Sequence, residues 1–295
     1  MTSPARIAVI TDIHHGQHFV TKRGDRALDL MDDFGTFVQQ QGVDHVLDLG
    51  DRISDVDHAT DLRLEAEVAE TFAAIDTPTS HVCGNHDVAL LSMEENEKIF
   101  DRPMGHRTVD VGGWRIVVWG ADARTLRSSS YTGYVLREAD LIWLATTVQQ
   151  ADRPLLVVTH IPFSGDTQLG NYYFQNNPTL ATYPNNHRIR AALGLARVPV
   201  VALTGHVHRN TFFALDGITY LTQQSLTESF TTQGEPAAAM GIIELGDDVN
   251  WQVWGHDPIQ MRFTPTTGRW TPPLPRFDDS PELKARRDRK AESDV

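Results

Sequence analysis

Six short apolar runs constrain this chain more than anything else in it. RIAVITD (6–12), VDHVLDLGD (43–51), TSHVCGNHD (79–87), RIVVWGAD (115–122), PLLVVTHIP (154–162) and VPVVALTGHVH (198–208) are too short for helices and too apolar for a solvated face. Runs of this length, each giving out at small or polar residues, are expected as buried strands. Between several of them apolar residues recur at helical spacing: Leu28, Met31, Phe34 and Val38; Val68, Phe72 and Ile75; Leu141, Leu144, Ala145 and Val148. Strands alternating with helices predict βαβ units and an α/β fold. After residue 208 the pattern changes. TFFALDGITYLTQQS and MGIIELGDDVNWQVWGHD carry Asp-Gly and Gly-Asp turn signals and no helical period, so antiparallel strands are expected there. The whole predicts a pair of mixed sheets with helices outside. One folded unit is expected over residues 1–264, followed by a polar, loosely held tail at 265–295.

The runs also end alike. Asp12 and His14 follow the first, Asp51 the second, Asn85 and His86 the third, His160 the fifth, and His206 and His208 the sixth. Open α/β sheets bind ligands beyond the carboxyl ends of their strands, so these residues are placed to converge. Imidazoles, carboxylates and one amide oxygen form a donor set suited to Mn, Fe or Zn. The single cysteine, Cys83, excludes a disulfide framework and any cysteine-based zinc site. Seven donors exceed what one transition metal takes; they suit two metals sharing a carboxylate. Glycines at 50, 84 and 205 stand just before candidate ligands, where a sharp turn without a Cβ is expected.

In order, the chain reads Asp12-Ile-His14, Gly50-Asp51, Gly84-Asn85-His86-Asp87, a lone His160, and Gly205-His206-Val207-His208. Over roughly residues 6–258 this series resembles the calcineurin-like metallophosphoesterase superfamily, with all five motifs intact. The resemblance implies a four-layer αββα sandwich of two mixed β-sheets flanked by helices. It implies two divalent or mixed-valence transition metal ions (Mn, Fe or Zn), with Asp51 as the shared ligand. Asp12, His14 and His208 would complete one site, and Asn85, His160 and His206 the other. It further implies His86 as the group that meets the phosphate and protonates the leaving oxygen, with Asp87 orienting it. In motif style the chain is most similar to bacterial class III cyclic-nucleotide and glycerophosphodiester-type phosphodiesterases. A non-catalytic scaffold on the same fold would be expected to lose ligands or the phosphate-facing histidine, and neither is lost. Phosphatases of the superfamily carry an Arg before G-N-H and another in G-D-x-x-D-R-G. Here Cys83 and GDRISDVD stand in those places, so a phosphodiester is expected over a monoester, with Arg52 as the one nearby guanidinium.

A formal net charge of −13 argues against a nucleic-acid polymer or an anionic membrane as partner. It leaves open a small phosphate ester, because bound metal reverses the local field. The N-terminus has no signal-peptide pattern and no run approaches a membrane span, which makes a cytoplasmic setting the expectation. The long polar stretch 164–187, with Tyr172, Tyr173 and Phe174, is expected to be a substrate loop or a homo-oligomer contact. Asn185 or Asn186 is expected to cap the helix after it. His15 and His18 are expected in a solvated loop.

Overall fold

All six apolar runs are strands in the computed structural model, which describes residues 4–165, 170–269 and 280–293. The elements are β1 (Ala5–Ile10), α1 (Ala27–Gln41), β2 (His45–Asp48), α2 (His58–Ala73), β3 (Thr79–His81), α3 (Met93–Phe100), β4 (Arg107–Val111) and β5 (Trp114–Val118). A small hairpin, β6 (Leu126–Arg127) and β7 (Thr132–Gly133), precedes α4 (Glu138–Gln149), β8 (Leu155–Val158), α5 (Tyr172–Asn176), α6 (Asn186–Leu193) and β9 (Val200–Thr204). The antiparallel half supplies β10 (Thr211–Leu215), β11 (Ile218–Thr222), β12 (Met240–Leu245), β13 (Val249–Trp254) and β14 (Ile259–Phe263), and α7 (Pro281–Ser293) comes last.

Two six-stranded sheets result, ordered β14-β13-β12-β1-β2-β3 and β10-β11-β9-β8-β5-β4. Each is mixed. In the first, β1, β2 and β3 are parallel and β12 to β14 antiparallel. In the second, β5, β8, β9 and β11 are parallel, with β4 and β10 reversed at the edges.

Because strand side chains alternate, each buried strand serves two cores. Ile7 and Val9 face the other sheet, sharing one core with its Leu156, Val158 and Leu203 and with Trp251 of their own sheet. Ala8 and Ile10 face outward onto Leu30, Met31, Phe34 and Val38 of α1 and Val68 and Phe72 of α2. In the second sheet Val157 and Ala202 face Leu141, Leu144 and Val148 of α4 and Ile189 and Leu193 of α6. The layers are therefore αββα. Each fully buried Val, Leu or Ile contributes about 1.5–3 kcal/mol before chain entropy is subtracted. Ile75 packs onto the same core from just past the end of α2.

Register is what positions the site. Ile10 pairs with Asp48, Asp48 with His81, and Val158 with Leu203, so the parallel strands of each sheet end in one row. Their loops stay joined beyond the last pair: Asp12 N donates to Gly50 O (2.8 Å), and Gly205 N to His160 O (3.1 Å).

Asn185 occupies the N-cap of α6 but makes no capping hydrogen bond, contrary to expectation. At φ 53° and ψ 34° it lies outside the extended region from which a side chain reaches the first-turn amides. Within 265–295, Pro281–Ser293 is helical, Thr266 Oγ1 donates to Gly217 O (2.6 Å), and residues 270–279 lie outside the described part. Among the described residues no helix is long and apolar enough to cross a membrane.

Candidate metal centre

The strand-end loops of both sheets bring the predicted donors into one place. Ligand atoms of Asp12, His14, Asp51 and His208 lie within 4.8 Å of one another, as do those of Asp51, His160 and His206. Asp51 belongs to both groups. Asn85 sits beside the second: the Tyr134 hydroxyl donates to Asn85 Oδ1 (3.4 Å) and lies 3.2 Å from His206 Nε2.

The loops are bent hard to achieve this. Asp12, His14, Asp51, His206 and His208 all have positive φ, between 49° and 76°. For non-glycine residues this costs about 1–2 kcal/mol each, and such strain gathers where function requires it. Gly50, at φ 94°, makes the expected turn. Gly84 is there for space instead, since a Cβ on it would lie 2.2 Å from Asp51 Oδ1.

The outer nitrogen of each imidazole is committed. His160 Nδ1 donates to Leu49 O (2.8 Å), His14 Nδ1 to Ile53 O (3.3 Å), His206 Nε2 to Leu180 O (2.6 Å) and His208 Nδ1 to Glu228 Oε2 (2.7 Å). Because these partners only accept, the hydrogen sits on that nitrogen, and in the neutral ring the other presents a lone pair inward. His14 Nε2 and His208 Nε2 then face each other at 2.9 Å. His160 Nε2 faces Asp51 Oδ2 at 3.2 Å, and His208 Nε2 faces Asp12 Oδ1 at 3.2 Å. Asp12 Oδ1, His160 Nε2 and His206 Nδ1 are buried without a hydrogen-bond partner. Lone pairs aimed at one another in a buried space repel unless a cation lies between them. The donor set fits two transition metals sharing Asp51.

Protons answer the same demand. Burial disfavours the charged form of His160 and His208, yet Asp51 and Asp12 respectively outweigh it and hold each at about 9. Burial and the neighbouring His160 push His206 down to about 3. Asp51 lies well below the usual carboxylate range: burial opposes this, and His160 and His86 overcome it.

His86 is at the cleft, its side chain 27% exposed, with Nε2 4.0 Å from Asp51 Oδ2. Its Nδ1 pairs with Asp55, not with Asp87 as the sequence suggested. The His86 hydrogen bond holds Asp55 below the usual carboxylate range. Asp87 is turned the other way: fully buried, it accepts from the amides of Gly84 (2.7 Å), Asp51 (2.9 Å) and Arg52 (2.7 Å). Arg52 does not reach the cleft either. It is fully buried, donating to Asp48, Glu65, Asn96 and the carbonyl of Val82. His15 pairs with Glu67 and His18 with the Val20 carbonyl.

Beside the candidate ligands, Tyr134, Glu228, Lys22 and Asp55 carried no signal in the sequence. Lys22 lines the cleft with Asp51 and His86. Burial lowers its pKa, and Asp51 and Glu228 oppose that shift. In the 164–187 stretch, Tyr173 and Phe174 line the same cleft. Residues 166–169 and the Tyr172 side chain lie outside the described part.

The sequence profile of calcineurin-like phosphoesterases matches residues 5–210, well over half of the chain. No curated protein matches it in sequence. Among solved structures, a dimetal phosphatase from Danio rerio superposes with a TM-score of 0.69 at 15% identity, covering 89% of this chain and 99% of that one. A Thermus thermophilus protein reaches 0.48 at 12% identity, over 88% and 99%. The phosphopantetheinyl hydrolase of Mycobacterium tuberculosis also reaches 0.48, at 11% identity over 76% and 90%. The Danio rerio likeness is one of fold.

Proposed function

The chain belongs to the calcineurin-like phosphoesterase family, and we propose that it is a dinuclear-metal-dependent hydrolase favouring a small or nucleotide-type phosphodiester. The observation that carries this reading is the set of inward donors without hydrogen-bond partners, Asp12 Oδ1, His160 Nε2 and His206 Nδ1, together with the facing Nε2 atoms of His14 and His208. Asp12, His14 and His208 would hold one metal and Asn85, His160 and His206 the other, with Asp51 between. A bound pair of Mn, Fe or Zn ions supplies Lewis acidity toward the phosphoryl oxygens and a water acidic enough to act near neutral pH.

The chain's own residues do the rest. His86 donates a proton from Nε2 to the departing oxygen, and the ionised Asp55 accepts the Nδ1 hydrogen and keeps the ring turned to the cleft. Asp87 anchors the loop amides on either side. The expected result for His86→Ala is full metal content with turnover lowered by about 10²–10⁴-fold. The loss should be larger for an alkyl ester than for a nitrophenyl ester, whose leaving group needs no proton. Asp55→Asn should show the same leaving-group dependence with a smaller loss. Equal losses on both esters would assign His86 to holding phosphate alone.

Diester preference rests on which cations the cleft has. Arg52 is committed beneath it, leaving Lys22, a point charge, and Arg127 on the exposed rim. Neither offers a fixed bidentate fork beside the metals of the kind a dianionic monoester rewards. At equal pH and metal loading, bis-(p-nitrophenyl) phosphate should exceed p-nitrophenyl phosphate in kcat/KM. The opposite order would make the protein a phosphomonoesterase.

A further inference from the structure

The cleft over the metal ligands is larger than a phosphate group needs. Its volume is about 640 Å³, in the range of pockets that enclose a small organic molecule. Phe19, Val20, Tyr173 and Phe230 stand in its lining and are 62%, 78%, 61% and 42% exposed. Singly scattered exposed apolar side chains mean little, but four converging on one mouth from three chain segments form a patch. Phe174 continues the apolar wall inward, its ring centroid 5.0 Å from that of His206.

The turn at 19–22 is shaped to present this lip. Phe19 and Lys22 exchange backbone hydrogen bonds of 3.0 and 2.9 Å. Between them Val20 takes φ 54°, a conformation that a β-branched residue resists. The same turn places Lys22 Nζ 5.9 Å from the Phe19 ring centroid, in the cleft with His86. An apolar lip and a cation therefore arrive together on one strained loop.

Resting on the hydrolase reading above, we propose that this mouth is a subsite for the organic group of the phosphate ester. That group is aromatic or otherwise extended and apolar, Phe19, Val20, Tyr173 and Phe230 grip it, and Lys22 receives the phosphoryl end. The recess argues for a substrate rather than a flat partner, because one lining joins the apolar lip to Lys22, His86 and the candidate ligand Asp51, where a phosphoryl end has counterparts.

Methylphosphonate and phenylphosphonate, which have no ester bond to cleave, separate the two parts when titrated calorimetrically into manganese-loaded protein. Phenylphosphonate should bind about tenfold more tightly. Tyr173→Ser and Phe230→Ser, which lie outside the turn that places Lys22, should shrink that preference toward unity while methylphosphonate, lacking the apolar group, binds as before. Lys22→Met should weaken both probes by a similar factor. Equal affinity for the two probes in a protein that still hydrolyses esters would overturn the subsite and leave the hydrolase reading standing. Failure to hydrolyse any ester after metal loading would overturn that reading, and the subsite with it. A dimer dissolved by Phe230→Ser, with both phosphonate affinities unaltered, would assign the lip to self-association and overturn the proposal.

Discussion

Asp51→Asn protein reconstituted with manganese is expected to hold well under two equivalents of metal and to lose at least about a hundredfold to a thousandfold in turnover. The substitution preserves shape: an amide oxygen can still accept the His86 amide hydrogen, now received by Asp51 Oδ1 at 2.8 Å. What it removes is the one negative charge that faces both donor groups, with His160 Nε2 at 3.2 Å and His14 Nε2 at 3.9 Å from Oδ2. Both sites weaken together for that reason. Substituting His14 or His208 should chiefly empty one site, and substituting His160 or His206 the other. Metal analysis beside circular dichroism gives the answer, and two full equivalents in folded Asp51→Asn would remove it from the bridging position.

Arg52→Met is expected to destabilise the fold by about 3–5 kcal/mol, a fall in Tm of about 5–8 °C, although its side chain touches neither the candidate metal ligands nor the cleft. Its guanidinium is fully buried, 3.0 Å from both Asp48 and Glu65 and 3.4 Å from Asp87, with the Phe100 ring centroid at 4.7 Å. Burial disfavours the charge, but Asp87, Glu65 and Asp48 overcome it and raise the Arg52 pKa well above its usual value. Removing the cation leaves buried carboxylates facing one another. Asp87 then loses the charge that fixes it while it holds the amides of Asp51, Arg52 and Gly84, so metal affinity should fall as well. Thermal melting and metal titration of Arg52→Met and Arg52→Lys test this. A variant melting like the native protein would show that the cluster tolerates neutralisation.

Much of this architecture could be read from the chain alone, because it depends on local patterns. The period of apolar residues separates strand from helix, and the small or polar residue ending each run marks where a loop begins. The αββα layering and the seven donors at strand ends follow from features a few residues long. The contacts that tune the site do not. Asp87 is the neighbour of His86 in sequence, yet successive side chains at a strand-end turn point in different directions, so Asp87 faces the amides and Asp55 takes the imidazole. Arg52 follows Asp51 but lies beneath the sheet, where the carboxylates of Asp48 and Glu65 are buried. Glu228 reaches His208 across a strand hairpin, and Tyr134 reaches Asn85 and His206 from a segment with no motif. Those pairings are set by strand register and by the path of loops between distant segments, and Tyr134 meets Asn85 and His206 only once the loops of the two sheets have come together.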